Sequence, residues 1–202
     1  MAYALQPSLR PLPPWFTRVL ALAAIIVVVL VLGLASQSRR TPPRLVLSGP
    51  HHDLEYARMV ERMVASARTR VWMSMFVVRL DEDGPVMQLM KALAAASARG
   101  VRVQVCLDLG RVYSTGEVDP KHDAPLAWLR AHGVRALVDE PGRTTHAKVL
   151  IVDDERVVIG SHNWTRDALT GNREASVVLE DREVAAALSE LLAGIPGWDR
   201  DH

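Results

Sequence analysis

The chain has 202 residues, 24 Lys+Arg against 23 Asp+Glu, and 49% hydrophobic residues. This composition excludes a disordered or low-complexity chain, and the single cysteine excludes a disulfide framework or a cysteine-built metal site. The length corresponds to about one domain. The charge is uneven, because residues 1–44 hold five Arg and no acid, which leaves 19 basic against 23 acidic residues in 45–202.

Residues 19–38 are 20 consecutive uncharged and mostly apolar residues. Because about 20 helical residues cross the hydrocarbon core of a bilayer, we predict a transmembrane anchor at 19–38. A short basic tail at 1–18 precedes it and a linker at 39–44 follows it. A cleaved signal peptide is one alternative, since Gly33-Leu34-Ala35 resembles a small-residue cleavage site, and a buried core helix is another. Flanking arginines are balanced, so the side of the membrane stays open.

The remaining part of the chain, 45–202, alternates strand-like and helix-like patterns of apolar residues. Strands are predicted at 45–47, 71–78, 101–107, 134–138, 146–152 and 157–159. Helices are predicted over 56–67, 86–94, 124–132 and 182–193, the last of them capped by Asp181. Residues 108–124 carry turn formers and charges without periodicity and are predicted to be a loop. The alternation predicts an α/β domain with a sheet between helices.

Residues 145–165, THAKVLIVDDERVVIGSHNWT, carry the chemically informative pattern. Side chains alternate along a strand, so His146 and Lys148 are predicted to project from the same face. The chain turns near Asp153 and returns to Ser161 and Asn163, which adds a hydroxyl and an amide to the same end. Ammonium, hydroxyl and amide groups bind phosphate oxygens, and a neutral imidazole can attack phosphorus.

The order His-x-Lys-x4-Asp, followed by Gly-Ser-x-Asn-x-Thr and by Glu174 28 residues after His146, resembles the signature of the phospholipase D superfamily. The resemblance covers roughly residues 45–195 and points to the bacterial single-motif endonucleases and the mitochondrial-surface phospholipase D-like proteins. It implies a phospholipase D/nuclease-like mixed sheet flanked by helices. It also implies a phosphodiesterase that works through a phosphohistidine intermediate.

Roles for the candidate residues follow from their chemical types and from this resemblance. His146 is the expected nucleophile. Lys148 and Asn163 are expected to stabilise charge on the phosphoryl oxygens, with support from Ser161. Glu174 is expected to hold His146 in the right tautomer.

One histidine cannot both attack phosphorus and protonate the leaving group, and the chain carries only one His-x-Lys motif. The single-motif relatives imply a homodimer in which two copies of His146 share one site. Asp153 is expected to organise the site without contacting substrate. The motif has no accompanying carboxylate cluster suited to magnesium, so we predict catalysis without a metal or other cofactor.

The substrate stays open, because fold and motif do not fix it. A membrane anchor favours a phospholipid headgroup, and the single-motif dimer favours single-stranded nucleic acid, although the acidic excess in 45–202 argues against strong duplex binding. A phosphatidyl transferase and a catalytically silent membrane-tethered binding module are further alternatives. The remaining internal histidines are expected to be exposed, namely His51, His52, His122, His132 and His162.

Overall fold

The computed structural model describes residues 13–37, 41–49, 54–110 and 116–202, and the chain divides into two compact units, Met1–Arg40 and Thr41–His202. The first unit contains helix α1 (Pro14–Gln37), so the predicted apolar segment is helical. No helix in the described residues is long and apolar enough to cross a membrane, and the predicted anchor at 19–38 is not confirmed. Residue 38 and residues 1–12 lie outside the described part.

The second unit is a seven-stranded sheet with helices, as the alternating sequence pattern predicts. In chain order its elements are β1 (Arg44–Ser48), α2 (Glu55–Ala65), β2 (Arg70–Met75), α3 (Pro85–Ala98), β3 (Arg102–Leu107), a 3-10 turn (Pro120–His122), α4 (Asp123–Ala131), β4 (Arg135–Val138), β5 (Lys148–Val152), β6 (Arg156–Gly160), α5 (Arg166–Thr170), β7 (Glu174–Glu180) and α6 (Arg182–Ala193). Strand β7 and the short helix α5 are additions to the predicted elements.

The sheet has the strand order β1-β7-β6-β5-β2-β3-β4. Strands β2, β3 and β4 are parallel, and the other neighbours are antiparallel, so the sheet is mixed. Helices α3 and α4 connect the parallel strands, because a parallel pair needs a crossover connection. The antiparallel half contains the motif hairpin β5–β6 and strand β7.

Alternate side chains of the central strands enter two hydrophobic clusters on opposite faces. Met73 and Leu150 belong to the larger cluster, which is formed with α2, α3 and α4. Trp72 and Ile151 belong to the smaller one, which is formed with α6 and the C-terminal segment. As predicted, the Asp181 side chain caps α6 by accepting hydrogen bonds from two backbone N–H groups.

Five strand ends meet at one edge of the sheet. Because β5 is antiparallel to both β2 and β6, its first residue lies beside their last residues, and the start of β7 adjoins the end of β6. The end of β3 follows next to β2. At this edge Gly160 lies so close to Ser176 and the Ala175 carbonyl that a Cβ would collide with them. Loops from distant parts of the sequence therefore converge here.

Candidate active site

His146 and Lys148 are in direct contact at this edge of the sheet. The Lys148 Nζ atom lies 3.1 Å from Nε2 and 3.2 Å from Nδ1 of His146, and it donates a 2.9 Å hydrogen bond to the His146 carbonyl oxygen. Lys148 is the buried first residue of β5, whereas His146 is exposed in the loop before the strand. The predicted pairing is therefore present, but only Lys148 lies within the strand.

Phe76, the residue after β2, packs against both groups. Its ring centroid lies 4.3 Å from that of His146 and 4.6 Å from Lys148 Nζ. Burial lowers the pKa of Lys148 below its usual value, while the negative charges of Glu174 and Asp108 oppose the shift. The ammonium is thus partly desolvated and held against an exposed imidazole, which strengthens its interaction with an incoming anion.

Asn163 reaches the same place from the loop after β6. Its Oδ1 atom accepts a 3.2 Å hydrogen bond from the backbone N–H of Val77, the neighbour of Phe76. The next residue, Trp164, is fully buried and forms a bridge with Val78, as expected for a core side chain. The hydrogen bond from Val77 orients the Asn163 amide, whose Nδ2 group is a donor in type.

Ser161 and Glu174 are joined to each other. The Ser161 hydroxyl donates a short hydrogen bond to the Glu174 carboxylate, which also accepts a 3.1 Å bond from Asn172 Nδ2. A hydrogen bond from the His146 ring to Glu174, by which Glu174 was expected to hold the tautomer, is not formed within this chain. Within one chain Glu174 therefore fixes the loop after β6, and its charge acts on Lys148 through space.

Asp153 does not belong to this cluster, because it lies at the other end of β5, in the turn to β6. Five residues in extended conformation separate this end from the catalytic edge by roughly 16 Å. Its carboxylate accepts hydrogen bonds from the backbone N–H groups of Arg68, Thr69 and Arg70. Asp153 thus organises the fold at a distance from the chemistry.

Two of the histidines that the sequence suggested were exposed are buried. His162 lies between the Ser48 and Ser176 hydroxyls, at 2.8 and 2.7 Å, and stacks on the Tyr56 ring. His122 is 2% exposed and forms two backbone hydrogen bonds. In both cases polar groups from other elements form hydrogen bonds with the imidazole nitrogens, which allows the ring to be buried. His132 is exposed as expected, and His51 and His52 lie outside the described residues.

Asp108, at the end of β3, is a further component that the sequence pattern did not reveal. Its buried carboxylate accepts a 3.0 Å hydrogen bond from the backbone N–H of Thr145, the residue before His146. Thr145 and His146 also line a cavity of about 250 Å³, together with Leu191 of α6. The signals that could have found Asp108 and Phe76 are their positions immediately after predicted buried strands.

An exposed imidazole, a desolvated ammonium and an oriented amide converge at the end of a mixed sheet. This arrangement is suited to attack on a phosphodiester, with the cation and the amide on the nonbridging oxygens. Among the described residues no three His, Cys, Asp or Glu side chains are grouped so that they could hold a metal ion. The fold and the site together define a protein of the phospholipase D type.

Comparison with known proteins gives the same family. Residues 60–195 match the family described as "Cardiolipin synthase, PLD-like domain", and the chain belongs to this phospholipase D-like family of phosphodiesterases. The chain is 29% identical over 134 residues to the mitochondrial cardiolipin hydrolase of Mus musculus, covering 66% of this chain and 54% of that protein. It is 32% identical over 94 residues to a phospholipase D of Rickettsia conorii, covering 46% and 44%.

A solved structure supports the fold assignment. The phospholipase D family member Nuc from Salmonella typhimurium matches with a TM-score of 0.59 and 28% identity, covering 74% of this chain and 91% of Nuc. NucT from Helicobacter pylori, at 18% identity and a TM-score of 0.55, shares the fold. The chain spans about half the length of the curated cardiolipin hydrolases that it matches.

Proposed function

We propose that this protein hydrolyses phosphodiester bonds through a phosphohistidine formed on His146. The observation that carries the proposal is the exposed His146 ring, held 3.1 Å from a buried ammonium. The imidazole nitrogen attacks phosphorus, a P–N bond forms, and the bond from phosphorus to the leaving oxygen breaks. Lys148 and the Asn163 amide stabilise the negative charge that concentrates on the nonbridging oxygens.

The leaving oxygen needs a proton, which a second, protonated imidazole supplies. The chain carries one His-x-Lys motif, so the second His146 comes from another copy in a two-fold homodimer. Water then attacks phosphorus and transfers its proton to that second imidazole, which releases His146. The cycle returns both histidines to their starting protonation states and consumes one water molecule.

Phospholipids and nucleic acids present the same phosphodiester to the site and differ only in the groups attached to it. The names of the relatives include a cardiolipin hydrolase and phospholipases D, which favours a phospholipid headgroup. The likeness to Nuc and the single motif keep a metal-independent endonuclease as the second candidate. Attachment to a membrane through residues 19–38 stays a prediction from the sequence, and hydrolysis at the site does not depend on it.

The test uses the full chain and bis(p-nitrophenyl) phosphate, a small phosphodiester, in the presence of EDTA. The His146→Ala variant should reduce kcat about 1000-fold or more, because the attacking group is lost. The matched control is His132→Ala, at an exposed histidine remote from the site, which should leave kcat unchanged. Activity of His146→Ala near that of the wild type would contradict the mechanism, and loss of activity in EDTA would contradict metal independence.

A further inference from the structure

A second ammonium group, that of Lys121, lies beside the candidate active site. Its Nζ atom is 4.8 Å from the centroid of the Phe76 ring, the same ring that Lys148 Nζ approaches to 4.6 Å. The two Nζ atoms are therefore at most about 9.4 Å apart. Two ammonium groups against one aromatic ring can each bind one negative group of the same substrate.

The backbone around Lys121 is held in place by specific hydrogen bonds. The next residue, His122, donates from Nδ1 to the Asp108 carbonyl oxygen at 2.7 Å and accepts at Nε2 from the Val78 N–H at 3.1 Å. Burial lowers the pKa of His122, which favours the neutral ring that this pattern requires. The Asp119 carboxylate accepts a 3.0 Å hydrogen bond from the Lys121 N–H. Lys121 is thus presented from a fixed turn.

The Lys121 side chain is also confined. It packs over Gly110, where an added Cβ would lie 2.7 Å from Nζ, and it forms a 3.4 Å ion pair with the buried Asp108. Its side chain is 14% exposed, so the group is neither free in solvent nor sealed in the core. A lysine that is already ordered loses less conformational entropy when it binds an anion.

Lys121 and Phe76 both line a cavity of about 400 Å³. Arg143 and Glu140 line the same cavity and form a 3.6 Å ion pair with each other. Asp108 already accepts hydrogen bonds from Thr145 and Lys121, so its charge is largely compensated. Both cations that line the cavity, Lys121 and Arg143, are paired with a carboxylate, but Asp108 is shared between Lys121 and the Thr145 N–H, so Lys121 can still bind an anion beside the site where the phosphodiester would bind.

We propose that Lys121 binds a second phosphate of the substrate, next to the phosphodiester that His146 attacks. This inference rests on the proposed function of the same site. The sugar-phosphate chain of a nucleic acid and the bridging glycerol of diphosphatidylglycerol both place two phosphates across three carbons. The chemistry at Lys121 is therefore common to both substrate classes.

Direct binding tests the second-phosphate subsite without using turnover. Calorimetry of the full chain should show that propane-1,3-bisphosphate binds about tenfold more tightly than propyl phosphate. The Lys121→Gln variant should lose this difference, and Lys121→Arg should retain most of it. Lys91→Gln, at an exposed position on α3, is the matched control and should keep the full difference.

Equal affinities of the wild type for the two ligands, or an unchanged difference in Lys121→Gln, would overturn the subsite. If Lys121→Gln does not fold because Asp108 is left unpaired, the double variant Asp108→Asn/Lys121→Gln removes both partners and serves in its place. The wild type could show a Lys121-dependent preference for the bisphosphate and no phosphodiesterase activity. That combination would support the subsite and refute the proposed hydrolase function.

Two pairs of substrates distinguish the source of the second phosphate. One pair is the dinucleotide TpT against pTpT, and the other is phosphatidylglycerol against diphosphatidylglycerol in vesicles. In one of the pairs the wild type should have a higher kcat/KM for the two-phosphate member, and Lys121→Gln should lose this preference. That pair identifies the substrate class. A preference that is independent of Lys121 in both pairs would refute the proposal.

Discussion

Asp153 occupies the third position of the His-x-Lys-x4-Asp motif, yet its contacts are those of a structural residue. It lies in the left-handed region at φ 54°, and its carboxylate receives three backbone N–H groups, the Thr69 hydroxyl and Arg156. Burial opposes ionisation of Asp153, but the hydrogen bonds from Thr69 and Arg68 outweigh it and lower the pKa. The ionised carboxylate therefore stabilises the folded state.

We predict that Asp153→Asn lowers the free energy of unfolding by about 2 kcal/mol at pH 7, because neutral acceptors bind N–H groups less strongly than a carboxylate does. Asparagine tolerates the left-handed conformation, so the backbone cost stays similar. The folded pKa lies below the unfolded value of about 3.9, so the contribution is present above that pH and disappears as the pH falls through the folded pKa. Urea unfolding at pH 7 and pH 3 measures it.

The neighbouring Asp154 provides the control for this prediction. It shares the left-handed conformation at φ 57°, but its side chain is 51% exposed and pairs with Arg70. Asp154→Asn should change the free energy of unfolding by well under 1 kcal/mol, as exposed pairs do. Equal effects of the two substitutions would show that the hydrogen bonds to Asp153 contribute little.

Contacts between residues could be predicted where they depend only on spacing along the chain. Lys148 follows His146 by two positions, and any extended segment brings the two side chains together. The burial of His122 and His162 depends on partners such as Ser48, 114 positions away from His162, which no local pattern reveals. That Glu174 holds His146 in the right tautomer stays a prediction, and in the described chain its carboxylate accepts hydrogen bonds from Ser161 and Asn172.

At the level of elements, the His162 ring connects three strands at one side of the sheet. It follows β6 and lies between Ser48 of β1 and Ser176 of β7. Burial lowers its pKa to about 4, with a smaller opposing effect from the charge of Glu174. The folded protein therefore favours the neutral ring over the protonated one.

We predict that His162 makes the protein sensitive to mild acid. The unfolded pKa of about 6.5 exceeds the folded value, so the unfolded state binds the proton first and stability falls between about pH 6.5 and 4. Between pH 7 and pH 4.5 the free energy of unfolding should fall by about 2 kcal/mol less in His162→Gln than in the wild type. Denaturant titrations at the two pH values measure the difference, and each variant is compared with itself.

His132→Gln is the corresponding control, because His132 is exposed on the surface at the end of α4. It should lose the same free energy as the wild type over this pH range. If His162→Gln loses as much as the wild type, the buried ring is not the source of the acid sensitivity.

The predicted elements agree with the structure wherever periodicity is strong, as in α2, α3, β3 and α6. Strand β7 was missed because only its middle residues, Val177 to Leu179, are apolar, and because Glu174 was assigned to the site. Helix α5 has five residues, too few to show a helical period. The predicted strand at 71–78 ends at Met75, and the remaining residues form the loop that carries Phe76.

For the whole molecule, the decisive feature is one catalytic motif per chain. If each site uses His146 from both subunits, a hybrid dimer of wild type and His146→Ala has no complete histidine pair. Co-refolding equal amounts of the two proteins from urea should therefore give about one quarter of the activity of the same total amount of wild type. Residual activity of about one half would show that each chain works alone.

The class of the fold could be predicted from alternating strands and helices, and the motif indicated its family. The strand order could not, because the pairing of β1 with β7 joins segments about 130 residues apart and has no counterpart in local pattern. The same limit applies to Asp108 and Lys121, which reach the site only because β3 lies beside β2.

The distance between Asp153 and His146 has an evolutionary consequence. One end of the β5–β6 hairpin carries the candidate active-site residues His146 and Lys148, and the other end carries the hydrogen bonds that secure the turn. Substitutions near the turn can therefore be selected for thermal tolerance without altering the His146–Lys148 pair, and, if Lys121 binds substrate as proposed, changes around Phe76 and Lys121 can redirect specificity without weakening the turn. A protein built in this way can acquire new substrates and new operating temperatures through separate sets of mutations.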